Sequence, residues 1–105
     1  MTPDALFWTL AEELIAEDPR VVEGTIMRGR CLRVEDEFLA LVSYKGSGLV
    51  VKLPPDRVAA LIAEGVGQPF GPGKKVFKAW VSIPEPDADR WRALLREGVA
   101  AATAG

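Results

Sequence analysis

The chain contains no histidine and a single cysteine, Cys31, among its 105 residues. Lack of imidazole removes the commonest general base and metal ligand. It also excludes Ser/His and Cys/His nucleophile pairs and any zinc set that needs imidazole. One cysteine can form neither an intramolecular disulfide nor a four-sulfur metal site. What is left is carboxylate, lysine, hydroxyl or backbone chemistry, and no metal or cofactor is expected. Long apolar runs are missing as well. No unbroken aliphatic and aromatic run, including Phe38 to Val42, exceeds six residues, against the ~20 residues that a membrane-spanning helix needs. The first residues, Met1-Thr2-Pro3-Asp4, soon turn acidic and have neither the basic flank nor the apolar stretch of a signal peptide. The expectation is a soluble cytoplasmic protein with no membrane partner.

What is present points to one folded domain over residues 1–105. Hydrophobic residues make up 49%, more than a disordered segment carries, and a chain of this size buries roughly 60 to 70% of its unfolded surface without staples. The net charge of −2 is unevenly placed. Residues 1–19 hold five acids and no base, residues 20–83 ten bases and six acids, and residues 84–105 three bases and four acids. The middle is mildly basic, short of the excess typical of a strong nucleic-acid binder.

The first periodic segment is helical, with Thr2 as N-cap, Pro3 in the first turn and Asp18-Pro19 closing it. Leu6, Phe7, Trp8, Leu10, Ala11, Leu14 and Ile15 fall on one broad arc opposite Thr9, Glu12 and Glu13. From Arg20 the period changes to two. Residues 21–27, 30–34, 38–44 and 49–53 read as strands, with Glu35-Asp36-Glu37 and Lys45-Gly46-Ser47-Gly48 as turns. Links this short require an antiparallel meander. After Pro54-Pro55, residues 56–64 carry Val58, Leu61 and Ile62 at helical spacing, with Gly65 as C-cap. Residues 65–73 hold four glycines and two prolines, and read as a loop rather than an element. Residues 77–83 alternate Phe77, Ala79, Val81 and Ile83 against Lys78, Trp80 and Ser82, a half-buried strand. Asp87 caps a final helix with Trp91, Leu94, Leu95, Val99 and Ala102 on one face. The order is α-β-β-β-β-α-β-α. It predicts an α+β fold, a two-layer sandwich with a five-stranded antiparallel sheet and all three helices on one face.

Four residue clusters could carry chemistry. Gly73-Lys74-Lys75 invites a phosphate-loop reading, but that pattern needs a glycine where Gln68 stands, a Ser or Thr where Lys75 stands, and a helix rather than a strand afterwards. Glu35, Asp36 and Glu37 form a solvated hairpin turn rather than a cation site. Cys31 sits in a strand between Arg30 and Leu32 and is read as buried filler, and Trp8 and Trp91 belong to helical core stripes. The fourth cluster is on the sheet. Alternation places Lys78 and Trp80 opposite core-facing Phe77 and Val81, places Lys52 with Val50 opposite Leu49, Val51 and Leu53, and adds Arg33 from a neighbouring strand. Three bases and a tryptophan then share the face that no helix covers. One account is long side chains shielding apolar atoms in solvent; the other is a contact surface, since exposed tryptophan is a frequent interface anchor.

The order of elements, together with Ile26-Met27-Arg28-Gly29, the meander over residues 31–53, Gly67-Gln68-Pro69-Phe70, Ala79-Trp80-Val81 and the helix over residues 91–102, resembles the N-terminal domain of the TfoX/Sxy competence-regulator family. Only Gly29 keeps that family's glycine pair, and Ile26 and Met27 stand in place of its Met-Phe. The family's separate C-terminal domain has no counterpart before Gly105. Lys74-Lys75-Val76-Phe77-Lys78-Ala79-Trp80 is similar to the lysine-rich approach to a tryptophan strand in the MmcQ/YjbR family. Both resemblances imply a two-layer fold with an antiparallel sheet, and neither supplies catalytic residues.

The function expected is therefore a non-enzymatic regulatory or interaction module that binds a protein partner, or itself, through Arg33, Lys52, Lys78 and Trp80. Nucleic-acid binding by the same face, as the YjbR-like resemblance implies, is the alternative. An enzyme would need a pocket built from carboxylates, lysine or Tyr44.

Overall fold

Thr2 begins the first helix as expected: its hydroxyl accepts the amide of Ala5 at 3.1 Å, and Pro3 occupies the first turn, where a missing amide costs nothing. The computed structural model describes residues 2–26, 29–43, 48–71 and 77–103. Within them the elements run α1 (Pro3–Glu17), β1 (Val21–Ile26), β2 (Gly29–Val34), β3 (Glu37–Ser43), β4 (Gly48–Lys52), α2 (Pro55–Ala63), β5 (Gln68–Pro69), β6 (Trp80–Ile83) and α3 (Ala88–Thr103). The predicted strand ends at Met27 and Tyr44, the Lys45-Gly46-Ser47 turn and the Lys74-Lys75 pair lie outside the described residues.

The α+β architecture is the predicted one, but the sheet has six strands rather than five, in the order β1-β2-β3-β4-β6-β5, each pair antiparallel. The extra strand is Gln68–Pro69, paired with Ser82 and Val81 inside the segment read as pure loop. Proline donates no ladder hydrogen bond and is confined to sheet edges, which is where β5 lies. The strand around Trp80 is also shorter than its alternation indicated. Residues 78–79 form a turn and the Trp80 amide bonds the Phe77 carbonyl at 3.2 Å. Phe77 therefore does not enter the core with Val81.

One core lies between the sheet and the helices. Phe7, Leu10, Ala11 and Leu14 of α1, Val58 and Leu61 of α2, and Trp91, Leu94, Leu95 and Val99 of α3 pack on Leu32, Val34, Leu49, Val51, Val81 and Ile83. Ile15, on the predicted apolar arc, is 36% exposed, because the seven-residue arc is wider than the contact that the sheet and α3 offer. Trp8 is half-buried rather than core: it packs edge-on against Phe7 at 4.9 Å and stacks under the Arg30 guanidinium at 3.9 Å. No helix among the described residues is long and apolar enough to cross a membrane.

The acidic excess of the first segment is matched inside the fold. Glu13 and Glu17 of α1 meet Arg92 and Arg96 of α3 at 3.0 and 2.9 Å, two successive rungs between parallel helices. Asp18, at the C-cap of α1, accepts three bonds from Arg20: from the backbone amide at 3.0 Å, from Nε at 3.0 Å and from Nη2 at 2.7 Å. These bonds hold its carboxyl at about 2, below the ordinary 3.8. A carboxylate lowered in the folded state contributes stability above its unfolded pKa and loses it as the pH falls through the folded value. In urea titrations the stability difference between wild type and Asp18→Asn is accordingly expected to hold from pH 7 down to about 4 and to vanish toward pH 2. A difference constant across that range would show that the Arg20 contacts do not depend on the charge.

Candidate functional site

Residues directly opposite one another in an antiparallel pair project to the same side of the sheet. Leu49, Val51, Val81 and Ile83 face the helices, so Val50 and Ser82, which are partners, and Lys52 and Trp80, which are partners, face away. Leu41 joins them opposite Val50, and Arg33 joins them opposite Val22. The centre of this far face is nevertheless shut off from water: Val50 is 0% and Cys31 1% exposed. The half-buried side chains are Arg33, Phe38, Leu41, Lys52 and Trp80. Cys31 is the filler that was expected, and burial pushes its thiol up against the opposing pull of Arg33.

The four residues predicted for the site are placed differently from one another. Lys52 and Trp80 are direct cross-strand neighbours. Lys52 donates to the Glu37 carboxylate at 3.0 Å, so one of the three turn acids is taken up by one of the proposed bases. Arg33, on β2, is separated from Trp80 by two whole strands, β3 and β4, and serves the β2–β3 hairpin. Its Nη2 donates to the Asp36 carbonyl at 2.9 Å, and its guanidinium lies over Phe38 at 4.9 Å. The hairpin needs that support, since Glu35 and Asp36 both take left-handed φ values, +48° and +69°, a conformation that glycine and asparagine usually supply. Lys78 is exposed on the turn before β6, off the strand, and makes no ion pair among the described residues.

Two residues that sequence reasoning assigned elsewhere complete the surroundings of Trp80. Phe70, just after β5, lies 6.5 Å from Trp80 and 6.5 Å from Phe77, centroid to centroid, with tilted rings. The Phe77 amide donates to the Phe70 carbonyl at 2.8 Å and the Leu53 amide to the Ala79 carbonyl at 2.9 Å, which fixes the cluster to the sheet edge. Aromatics on either side of Gly71-Pro72-Gly73 are the available signal in the sequence, since glycine and proline favour a reversal of the chain. All three rings are half-buried, so each keeps a face that a partner could cover.

Elsewhere, no group of three or more His, Cys, Asp or Glu among the described residues could hold a metal ion. A groove between α1 and α3, lined by Leu10, Leu14 and Leu95 and spanned by the Glu13–Arg92 and Glu17–Arg96 pairs, has a volume of about 10 Å³, which is room for one water. A scan against protein-family models, a search of curated proteins and a search of solved structures return no match to this chain.

Proposed function

We propose that this chain is a small non-enzymatic interaction module of the regulatory kind, cytoplasmic, that grips a protein partner at the end of the sheet where Phe70, Phe77 and Trp80 cluster beside Lys52 and Lys78. The observation that carries this reading is the cluster itself: three aromatic rings, each half-exposed, anchored to one edge by main-chain bonds. Rigid aromatic anchors with charged neighbours are the usual high-energy centre of a protein interface. Neutralisation of Lys52 by Glu37 favours a protein over a nucleic acid, whose phosphates need unpaired cations. The element order is also what the resemblance to TfoX/Sxy N-terminal domains implies, and a regulatory role through contact rather than catalysis accords with it.

The test is cross-linked affinity capture with wild type, Trp80→Ala and Lys78→Glu, each checked for fold by circular dichroism. Both variants are expected to lower recovery of the wild-type partner by roughly ten-fold or more. Lys78→Glu serves as the second arm because Lys78 is exposed and makes no ion pair among the described residues. Unchanged recovery in both variants would overturn the proposal, as would capture of oligonucleotides with affinity falling steeply as salt rises.

A further inference from the structure

The two edges of the sheet are defended very differently. β5 consists of Gln68 and Pro69 alone, short and lacking one amide, which is how natural sheets blunt an edge against other strands. β1, at the opposite edge, is six residues long, carries no proline or lysine, and pairs with β2 without a bulge from Val21 to Ile26. Its one charge, Glu23, is neutralised in place by a two-point bond from Arg30, both distances 2.8 Å. Val22 is 50% exposed, well beyond Ile15 at 36%. A six-residue edge with no bulge, its one charge already paired and with an exposed β-branched residue, is a template for strand pairing.

The sequence of that edge indicates its partner. Residues 22–26 read Val-Glu-Gly-Thr-Ile, nearly symmetric about Gly24. A two-fold interface brings one surface against itself, so each residue must suit the one it meets across the axis, and this near-symmetry puts apolar against apolar. Antiparallel pairing of two copies about Gly24 sets Val22 opposite Ile26 twice and Glu23 opposite Thr25 twice. Centring the axis one residue earlier sets the two Glu23 carboxylates against each other, and like charges directly opposite are unfavourable. We infer that two copies of this chain join through β1, antiparallel about Gly24, into one continuous sheet. This surface lies at the far edge from the Trp80 cluster, so the inference stands independently of the proposed function.

Six residues per copy make a small interface, so association belongs to the weak, concentration-dependent class. Sedimentation equilibrium between about 1 µM and about 1 mM is expected to show the mean mass rising from 11.4 kDa toward twice that value. The double variant Val22→Lys/Thr25→Lys, at two exposed positions, is expected to raise the dissociation constant by roughly ten-fold or more while keeping the wild-type circular dichroism. Trp80→Ala is expected to associate like wild type. A wild type that stays monomeric throughout, a double variant that associates normally, or loss of association in Trp80→Ala would each overturn the proposal. Register is read from an oxidised equimolar mixture of Glu23→Cys and Thr25→Cys chains. The mixed disulfide is expected to dominate, and a predominance of Glu23→Cys homodimers would reject pairing about Gly24.

Discussion

Trp91→Ala is expected to remove about 3–5 kcal/mol of stability, the usual cost of emptying a large buried aromatic site. Against a total of about 5–15 kcal/mol for a native domain, that loss leaves a substantial unfolded population. Trp91 is 0% exposed and heads the fully buried side chains by volume, on the face of α3 that covers the sheet. Its indole Nε1 is buried with no hydrogen-bond partner among the described residues. A buried donor left unpaired costs about 1–3 kcal/mol, and Trp91→Phe removes that donor while keeping most of the ring. The phenylalanine variant is therefore expected to lie much closer to wild type than the alanine variant. Urea unfolding, followed through far-ultraviolet circular dichroism, measures both. Equal losses in the two variants would show that the indole nitrogen finds a partner in solution.

Gly48→Ala is the second large effect. Gly48 opens β4 with φ +67°, and a Cβ there would strike the Ile83 carbonyl oxygen and lie 2.9 Å from Pro84 Cα. Both obstacles are main chain and cannot swing aside. The left-handed conformation costs a side-chain-bearing residue roughly 1–2 kcal/mol, and forced overpacking adds about 1–3 kcal/mol. Gly65 separates the two terms. It has φ +77°, but nothing lies within 4 Å of the position a Cβ would take, so Gly65→Ala meets the conformational cost alone. The expected order of unfolding midpoints is wild type, then Gly65→Ala, then Gly48→Ala well below. Similar midpoints for the two variants would mean that the β4–β6 corner relaxes around the added methyl.

Where the fold was readable in advance, the deciding contacts are local. Thr2, Pro3 and Asp18 act on the helix they flank, and a residue's neighbours at spacing two decide which face of β4 it takes. Alternation was enough to put Lys52 and Trp80 on one face of the sheet, but that they are direct neighbours depends on β6 pairing with β4, which the folded chain displays. The misses arise where a distant partner decides. Pro69 biases Gln68 toward extended backbone, but the pair becomes a strand only because Ser82 and Val81 pair with it. Phe77 has the right parity for the core, but the chain turns between it and β6, so parity no longer carries across. Glu37 reaches Lys52 from β3, next to the register shift at Leu32/Arg33 on the β2–β3 ladder, an irregularity no periodicity announces. The charge imbalance of the first 19 residues was visible as a sum. Its meaning depended on α3 lying parallel to α1, which only the folded chain displays.

That parallel pairing has a kinetic side. The bridges Glu13–Arg92 and Glu17–Arg96 each join residues 79 apart in sequence, and contacts so distant slow folding because the loop must close before they form. During synthesis the meander is complete at Lys52, whereas Trp91, Leu94 and Leu95, which cover Leu32 and Val51, arrive only with α3. At roughly 5–20 residues per second the gap lasts roughly 3–10 s. For that interval the nascent sheet has only α1, joined by α2, to cover its apolar face and carries the open β1 edge, the combination that draws in chaperones and invites misassembly between neighbouring chains.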